Sequence, residues 1–442
     1  MMTQRFLLTM IIVQVLAASG SADELASLTA KFEQGKSEIE AGRYREAALR
    51  LEAARGELQQ IGASDTRLAR VDMALGHAYR SQDDFNRAEA LYQEAQALYE
   101  KNAGLTSPDL ADALNSLGSV RFQMGRWNEG EELVVRALGI YRASYGEDDP
   151  RTASCLVNMG SFYTWQGRLA EAKQVLDQAL AVQRKAQVKG MALSDTLTKV
   201  ATVYLRQRSY ERARPLFQEA IEVCKALGDH HPCLADGYSA LGTCYRHQGD
   251  LARAEPLLKK ALALYEVIFG ADHPEVAYEL TNLGLIALAE RKTSLAQLSF
   301  ERSLGLLEKK LGPGRPEVAL VKLNLAVALL ADGKHQRGEV LLEESLRIQQ
   351  QLYPGGSPEL ADCHYWLAEL EARRHHRVQA EQHYREAIQI RERTAGVSDP
   401  NLETVLRAYA KLLKDTRRPE ARSIEHRANE IAAMQKAIPS GR

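Results

Sequence analysis

A proline recurs along this chain at a fixed interval. Pro108 to Pro150 is 42 residues, and so is each step through Pro232, Pro274, Pro316, Pro358 and Pro400. The step from Pro150 to Pro232 is 82, which fits two units of 41 with the middle proline lost near Met191. A constant period of this size restricts a chain to stacking one supersecondary unit on the next, each burying its apolar face on its neighbours. The 442 residues would suggest about three globular domains by size alone. The period predicts one continuous run instead.

Each unit reads as two helices, most cleanly over His231–Pro274 (HPCLADGYSALGTCYRHQGDLARAEPLLKKALALYEVIFGADHP). Proline suits a first helical turn, where its missing N–H would lack a partner anyway. Ser107, Asp149, Ser357 and Asp399 precede prolines as candidate N-caps. Asp109, Glu275, Glu317 and Glu359 follow, where the helix dipole favours acids. Gly249 is expected to end the first helix, and the second runs from Leu251 to Phe269 with Gly270 after it. Glycine recurs 38 residues past the unit's origin at Gly104, Gly146, Gly312 and Gly396. The inter-helix turn carries Gly42, Gly125, Gly167 and Gly333, whereas Asp83, Arg208, Arg291 and His375 stand near that place in other units, so the turn reads as tolerant. Leu241, Gly242 and Tyr245 recur as Leu75, Gly76 and Tyr79 and as Met159, Gly160 and Tyr163. Ala254 and Ala261 recur as Ala88 and Ala95 and as Ala172 and Ala179. Small residues at such points let two helix axes approach closely.

These residues resemble the tetratricopeptide repeat (TPR) family, and more narrowly the 42-residue repeats of kinesin light chain. His273-Pro274-Glu275-Val276-Ala277 and Thr281-Asn282-Leu283-Gly284 carry the likeness together with the Gly, Tyr, Ala and Leu positions above, from about Leu25 to Ala437. The resemblance implies an all-α, right-handed superhelical α-solenoid of tandem helix–turn–helix repeats, nine to ten of them over 23–437. The stretch from Pro400 is degenerate, and a last helix opening at Arg417-Arg418-Pro419 has a charged face (Arg422, Glu425, Arg427, Glu430) that suits a cap meeting water. Residues 438–442 read as a frayed tail.

Met1–Ala22 departs from the pattern. Arg5, the apolar run Phe6–Ala18 and the small residues Ala17–Ala22 read as a secretory signal peptide, too short for a comfortable membrane span. Export to the periplasm or medium is expected, with an uncleaved membrane anchor as the alternative. The whole chain balances 57 basic against 58 acidic residues, a net charge of −1. It has no field for nucleic acid or an anionic membrane.

The cysteines are Cys155, Cys224, Cys233, Cys244 and Cys363, an odd number that forms no disulfide framework. The short loop between Cys224 and Cys233 permits a bridge in an oxidising compartment; the other reading is that both are small core residues. Zinc is not expected: Cys233 and Cys244 lie about 16 Å apart along one helix and cannot share a tetrahedral ion. No nucleotide, zinc-protease or hydrolase motif occurs. No enzyme activity, cofactor or metal is expected.

Recognition remains. The resemblance places the inward-facing positions on the first helix of each unit, 7 and 11 residues after its origin, with others at 14 or 15. Chaperone-binding members carry Lys, Asn and Arg there, gripping a peptide carboxylate. Here the places read Asn115 and Ser119, Val157 and Ser161, Thr198 and Thr202, Ser239 and Thr243, Thr281 and Leu285, Leu323 and Val327, Tyr365 and Glu369, which departs from that clamp. Two features stand out. Leu285, Leu288, Leu323, Val327, Leu330 and Tyr365 make the later units apolar, in helices apolar almost all round; such helices are buried on every side or meet a ligand. Asn115, Asn158, Asn282 and Asn324 recur where kinesin light chain has an asparagine pair, and amides can bond an extended peptide's backbone or neighbouring helices. Arg80, Arg121, Arg206, Arg246 and Arg291 gather near the ends of first helices, as the dipole favours. The expected role is a scaffold binding a protein or peptide in a concave groove. The alternatives are a homo-oligomer subunit joined through the apolar helices and a regulatory module for a separate enzyme.

Overall fold

The computed structural model describes residues 22–394, 399–414 and 416–437. The signal-peptide reading, apart from Ala22, lies outside the described residues, as do Gly396 and the tail 438–442. Among the described residues there are twenty helices in tandem pairs and no strand. The pairs run from Ala22–Glu40 with Tyr44–Gln60 to Pro400–Leu413 with Arg418–Ala437. We call the first member of each pair the A helix and the second the B helix.

Helix starts follow the local chemistry. Asp149 accepts from Arg151 N–H, Ser357 from Leu360 N–H and Asp399 from Asn401 N–H. Ser107 makes no such bond, so its helix start rests on Pro108 and Asp109 alone. The B helices Phe85–Asn102 and Leu251–Phe269 are capped by Asp84 and Asp250.

The inter-helix turn is less tolerant than its residues suggested. Gly249 has φ +85° and Gly333 +78°, and Asp83, Arg208, Arg291 and His375 adopt the same left-handed backbone at φ 58–63°. The turn therefore keeps one conformation and the residue bears the strain, which costs an L-residue about 1–2 kcal/mol.

Within a pair, a glycine on the A helix admits a large side chain from the B helix. A β-carbon built at Gly242 would stand 2.8 Å from Leu258, and one at Gly284 2.6 Å from Phe300. Leu258, Phe300, Tyr92 and Leu176 are fully buried on this pattern, each removal from water contributing about 1.5–3 kcal/mol.

The contacts divide the chain into two compact units, one of residues 1–207 and 212–237 and one of 208–211 and 238–442, where the sequence reading carried a single undivided run. In each, successive A helices touch: Pro108–Gln123 with Pro150–Trp165 in the first, Pro274–Ala289 with Pro316–Ala331 and Pro316–Ala331 with Pro358–Arg373 in the second. Successive B helices do not approach as closely among the described residues, which puts the A helices on the inside of each curve.

The first unit closes on itself. The turn at Gly42 abuts Pro232, whose Cδ would lie 2.5 Å from a β-carbon at Gly42. His231, buried, accepts Cys233 N–H at Nδ1 (3.2 Å), which leaves Nε2–H to donate to the Glu40 carbonyl at 3.1 Å. Cys224 and Cys233 are joined by a disulfide, Cα–Cα 5.8 Å, closing the loop that carries His231. Cys155, Cys244 and Cys363 are buried and take no part in the disulfide.

Candidate functional site

An α-helix brings residues four, seven and eleven apart onto one face. In the second unit the partly exposed face of the A helices follows that rule. It comprises Tyr278, Asn282, Leu285 and Ala289 on Pro274–Ala289, then Leu320, Asn324, Val327 and Ala331 on Pro316–Ala331. On Pro358–Arg373 it continues as Asp362, Trp366, Glu369 and Arg373, with Tyr365 beside them, half-buried. The stripe thus runs from aliphatic to mixed aromatic and charged.

This placement changes the predicted site. The position 8 residues after the origin, rather than 7, faces inward together with 11. Leu323, at position 7, is 4% exposed, and Leu330 is 6% exposed. Both pack in a core with Ala326, Leu342, Cys363 and Leu367, so neither lines a groove. Val157 is likewise buried. Leu285, Leu288, Val327 and Tyr365 are half-buried, Leu285 and Leu288 resting against the core of Ala277, Phe300 and Val318. Tyr278, Leu320 and Trp366 share the stripe and were missed; the four–seven–eleven spacing was the signal that locates them.

The four asparagines separate into two kinds. In the first unit Asn158 Nδ2 donates to Asn115 Oδ1 at 2.8 Å, and Asn115 Nδ2 to Ser154 Oγ at 3.4 Å. These amides bond neighbouring helices. Asn282 and Asn324, half-buried in the second unit, make no side-chain hydrogen bond among the described residues. Their donors and acceptors face the stripe in successive repeats.

The charged end of the stripe is anchored from behind. Arg391, 1% exposed, pairs with Asp362 and with Asp399, the latter at 2.8 Å. Burial pushes the Asp362 carboxyl up to about 6 against the pull of Arg391. Tyr384 Oη donates to Glu369 at 2.5 Å. Burial, then Glu369 and Asp362, raise the Tyr365 phenol to about 12.

Among the described residues no group of three or more His, Cys, Asp and Glu is arranged to hold a metal ion. No described helix is long and apolar enough to cross a membrane.

Tetratricopeptide repeat family models match residues 109–185, 192–266, 235–309 and 317–393, and a second such model matches 73–109. No curated protein matches the sequence. Several solved structures share the fold. A Rap protein complexed with competence and sporulation factor is 17% identical, with 83% of this chain and 98% of that one covered at a TM-score of 0.60. The apo form of the quorum sensor NprR from B. thuringiensis is 15% identical over 81% of this chain and 97% of that one, TM-score 0.55. The kinesin-light-chain-like repeats of Podosopora anserina are 20% identical over 46% of this chain and 96% of that one, TM-score 0.36.

Proposed function

The chain belongs to the tetratricopeptide repeat family, and from that premise we propose that it is a non-enzymatic scaffold that holds an extended peptide segment along the A-helix stripe of its second unit. The observation that carries this reading is the pair Asn282 and Asn324, amides without partners among the described residues, set between Leu285, Leu320 and Val327. Helix axes pack about 8–10 Å apart and an extended chain advances about 3.4 Å per residue. The two amides would therefore meet backbone groups two to three residues apart, while the aliphatic side chains receive the peptide's own. Amides bond any backbone, so the apolar contacts set preference and the asparagines set pose. The fold-mate in complex with competence and sporulation factor supports a partner-holding role.

The test is selection of binders from a displayed peptide library, followed by fluorescence anisotropy on the intact protein. Asn282→Ala/Asn324→Ala is expected to weaken the selected peptides by about 10- to 100-fold, each lost hydrogen bond costing about 0.5–1.5 kcal/mol, and Leu320→Asp by at least as much. Selected peptides that bind both variants as well as the parent would overturn it. A dimer in light scattering that Leu320→Asp returns to monomer would give the stripe to a second copy of the chain instead.

We also place the protein outside the cytoplasm. The apolar run near Met1 and the disulfide between Cys224 and Cys233 support that location. Mass spectrometry of the mature N-terminus tests it, and an intact Met1 counts against cleavage.

A further inference from the structure

In the hairpin of Pro358–Arg373 with Arg377–Thr394, two histidines meet between the helices. His364 stands 6 residues after the origin at Pro358, and His383 stands 25 after it. The same two places carry Leu114 with Leu133, Leu156 with Val175 and Leu197 with Leu216 in earlier repeats. Where the first place is charged, at Asp72 and Lys322, the second stays aliphatic, as Leu91 and Leu341. His364 is buried and His383 half-buried. Their Nδ1 atoms lie 3.0 Å apart and their ring centres 5.3 Å. Two leucines would bury more apolar surface here and leave no polar atom to satisfy. Packing alone does not account for two imidazoles.

The contact limits how many protons the pair can hold. With both rings neutral, one Nδ1–H donates to the bare Nδ1 of the other. A first added proton can enter at the donor ring's Nε2 and leave that bond in place. A second must enter at the accepting Nδ1. Two N–H groups then stand head to head at hydrogen-bond distance, on two rings of like charge. The first step is favoured at His383, where Glu371 and Glu386 draw a proton against the pull of burial. Glu371 is itself bonded to His376 and Arg374. At His364, burial and the other ring act together against the proton. Neighbouring elements commit their charges elsewhere: Glu339 to Arg374, Glu344 to Lys322, and Tyr409 of the following A helix accepts from Arg385. An unfolded imidazole takes its proton near pH 6.5, whereas His364 is held down to about 4. The contact is therefore whole at neutral pH, and acid works against it as pH falls from 6.5 through 4.

The pair is linked to the stripe through its chain neighbours. Tyr365 follows His364 and Tyr384 follows His383, their ring centres 6.4 Å apart, and Tyr384 Oη donates to Glu369 at 2.5 Å. We propose that His364 and His383 form an acid-operated joint, in which the second proton parts the two helices of this hairpin and displaces Tyr365, Trp366 and Glu369 at the end of the stripe. The joint concerns the shape of the stripe and holds whether or not a peptide fills it.

Hydrogen exchange of the full chain at pH 7 and pH 4, read by mass spectrometry and corrected for the intrinsic rate, tests it. Amides of Pro358–Arg373 and Arg377–Thr394 are expected to exchange about tenfold faster or more at pH 4, and those of Pro274–Ala289 to change far less. His364→Leu/His383→Leu installs the pair found in other repeats and is expected to fold and to remove the gain. His383→Leu alone, which leaves no second ring to repel, should remove it as well. Trp366 gives a second readout. In Trp127→Phe/Trp165→Phe its emission is expected to move to longer wavelength between pH 7 and pH 4, and to stay in place once both histidines are leucine. The proposal fails if exchange in this hairpin rises no more than in Pro274–Ala289. It fails equally if the gain and the emission shift persist in the leucine variants, which would assign them to another group such as His335, a neighbour of Trp366. A parent chain that loses its helical circular-dichroism spectrum at pH 4 would also overturn it, because acid would then act on the whole fold.

Discussion

His77 shows how one side chain in this packing converts pH into stability. It sits on the A helix Thr66–Arg80, with Ser116 Oγ 3.2 Å from its Nε2 and the edge of Tyr92 against its ring. Burial, with Arg80 nearby, holds its imidazole down at about 3. The unfolded chain takes up this proton near 6.5, so the folded state is penalised as pH falls from 6.5 toward 3, and the contribution is complete above that window. Between pH 7 and 5 the loss is expected to reach at most about 2 kcal/mol. Urea unfolding of the parent and of His77→Gln at both values checks it: the parent should lose more than the variant, and equal losses would refute the assignment. At this scale the sequence was only partly legible. Ser107 has the right identity for a cap and makes no cap bond. Cys224 and Cys233 offered two readings that only the loop's geometry separates.

At the scale of the element, proline and glycine punctuation made the hairpins readable. Pro232–Gln248, Leu251–Phe269 and the glycine break between them stand where the pattern placed them. Orientation of a helix about its own axis was a different matter. Pro316–Ala331 is apolar on nearly every side, so no amphipathic contrast indicates which residues face the core. Leu323 and Leu330 were assigned to the groove, and the structure turns them inward and presents Leu320, Asn324 and Val327 instead. The inter-helix turn yields a prediction of its own. Arg291 holds φ +62°, a conformation glycine adopts without a β-carbon clash. Arg291→Gly is expected to stabilise the protein by about 0.5–1 kcal/mol, the relieved strain exceeding the added freedom of the unfolded chain. Thermal or urea unfolding measures it, and a destabilised variant would mean the arginine's own contacts outweigh the backbone.

At the scale of the molecule, the division into two compact units has a spectroscopic handle. The chain has three tryptophans: Trp127 and Trp165, tilted against each other with ring centres 3.5 Å apart, belong to the first unit and Trp366 to the second. Trp366→Phe leaves fluorescence reporting the first unit, and Trp127→Phe/Trp165→Phe leaves it reporting the second. Repeat arrays need not unfold as one cooperative block, and the two variants are expected to give different denaturant midpoints; coincident midpoints, matching the parent by circular dichroism, would show a single cooperative structure.

Arrays of repeats commonly tolerate the gain or loss of a whole module, because each module touches only its neighbours. The seat of Gly42 on Pro232, with His231 fastened to Glu40, withdraws that freedom from the first unit. Its hairpins are counted like the staves of a cask: one more or one fewer leaves the ends unable to meet. Lineages of this chain that vary in length should therefore add or shed modules beyond residue 237 and leave the number before it unchanged.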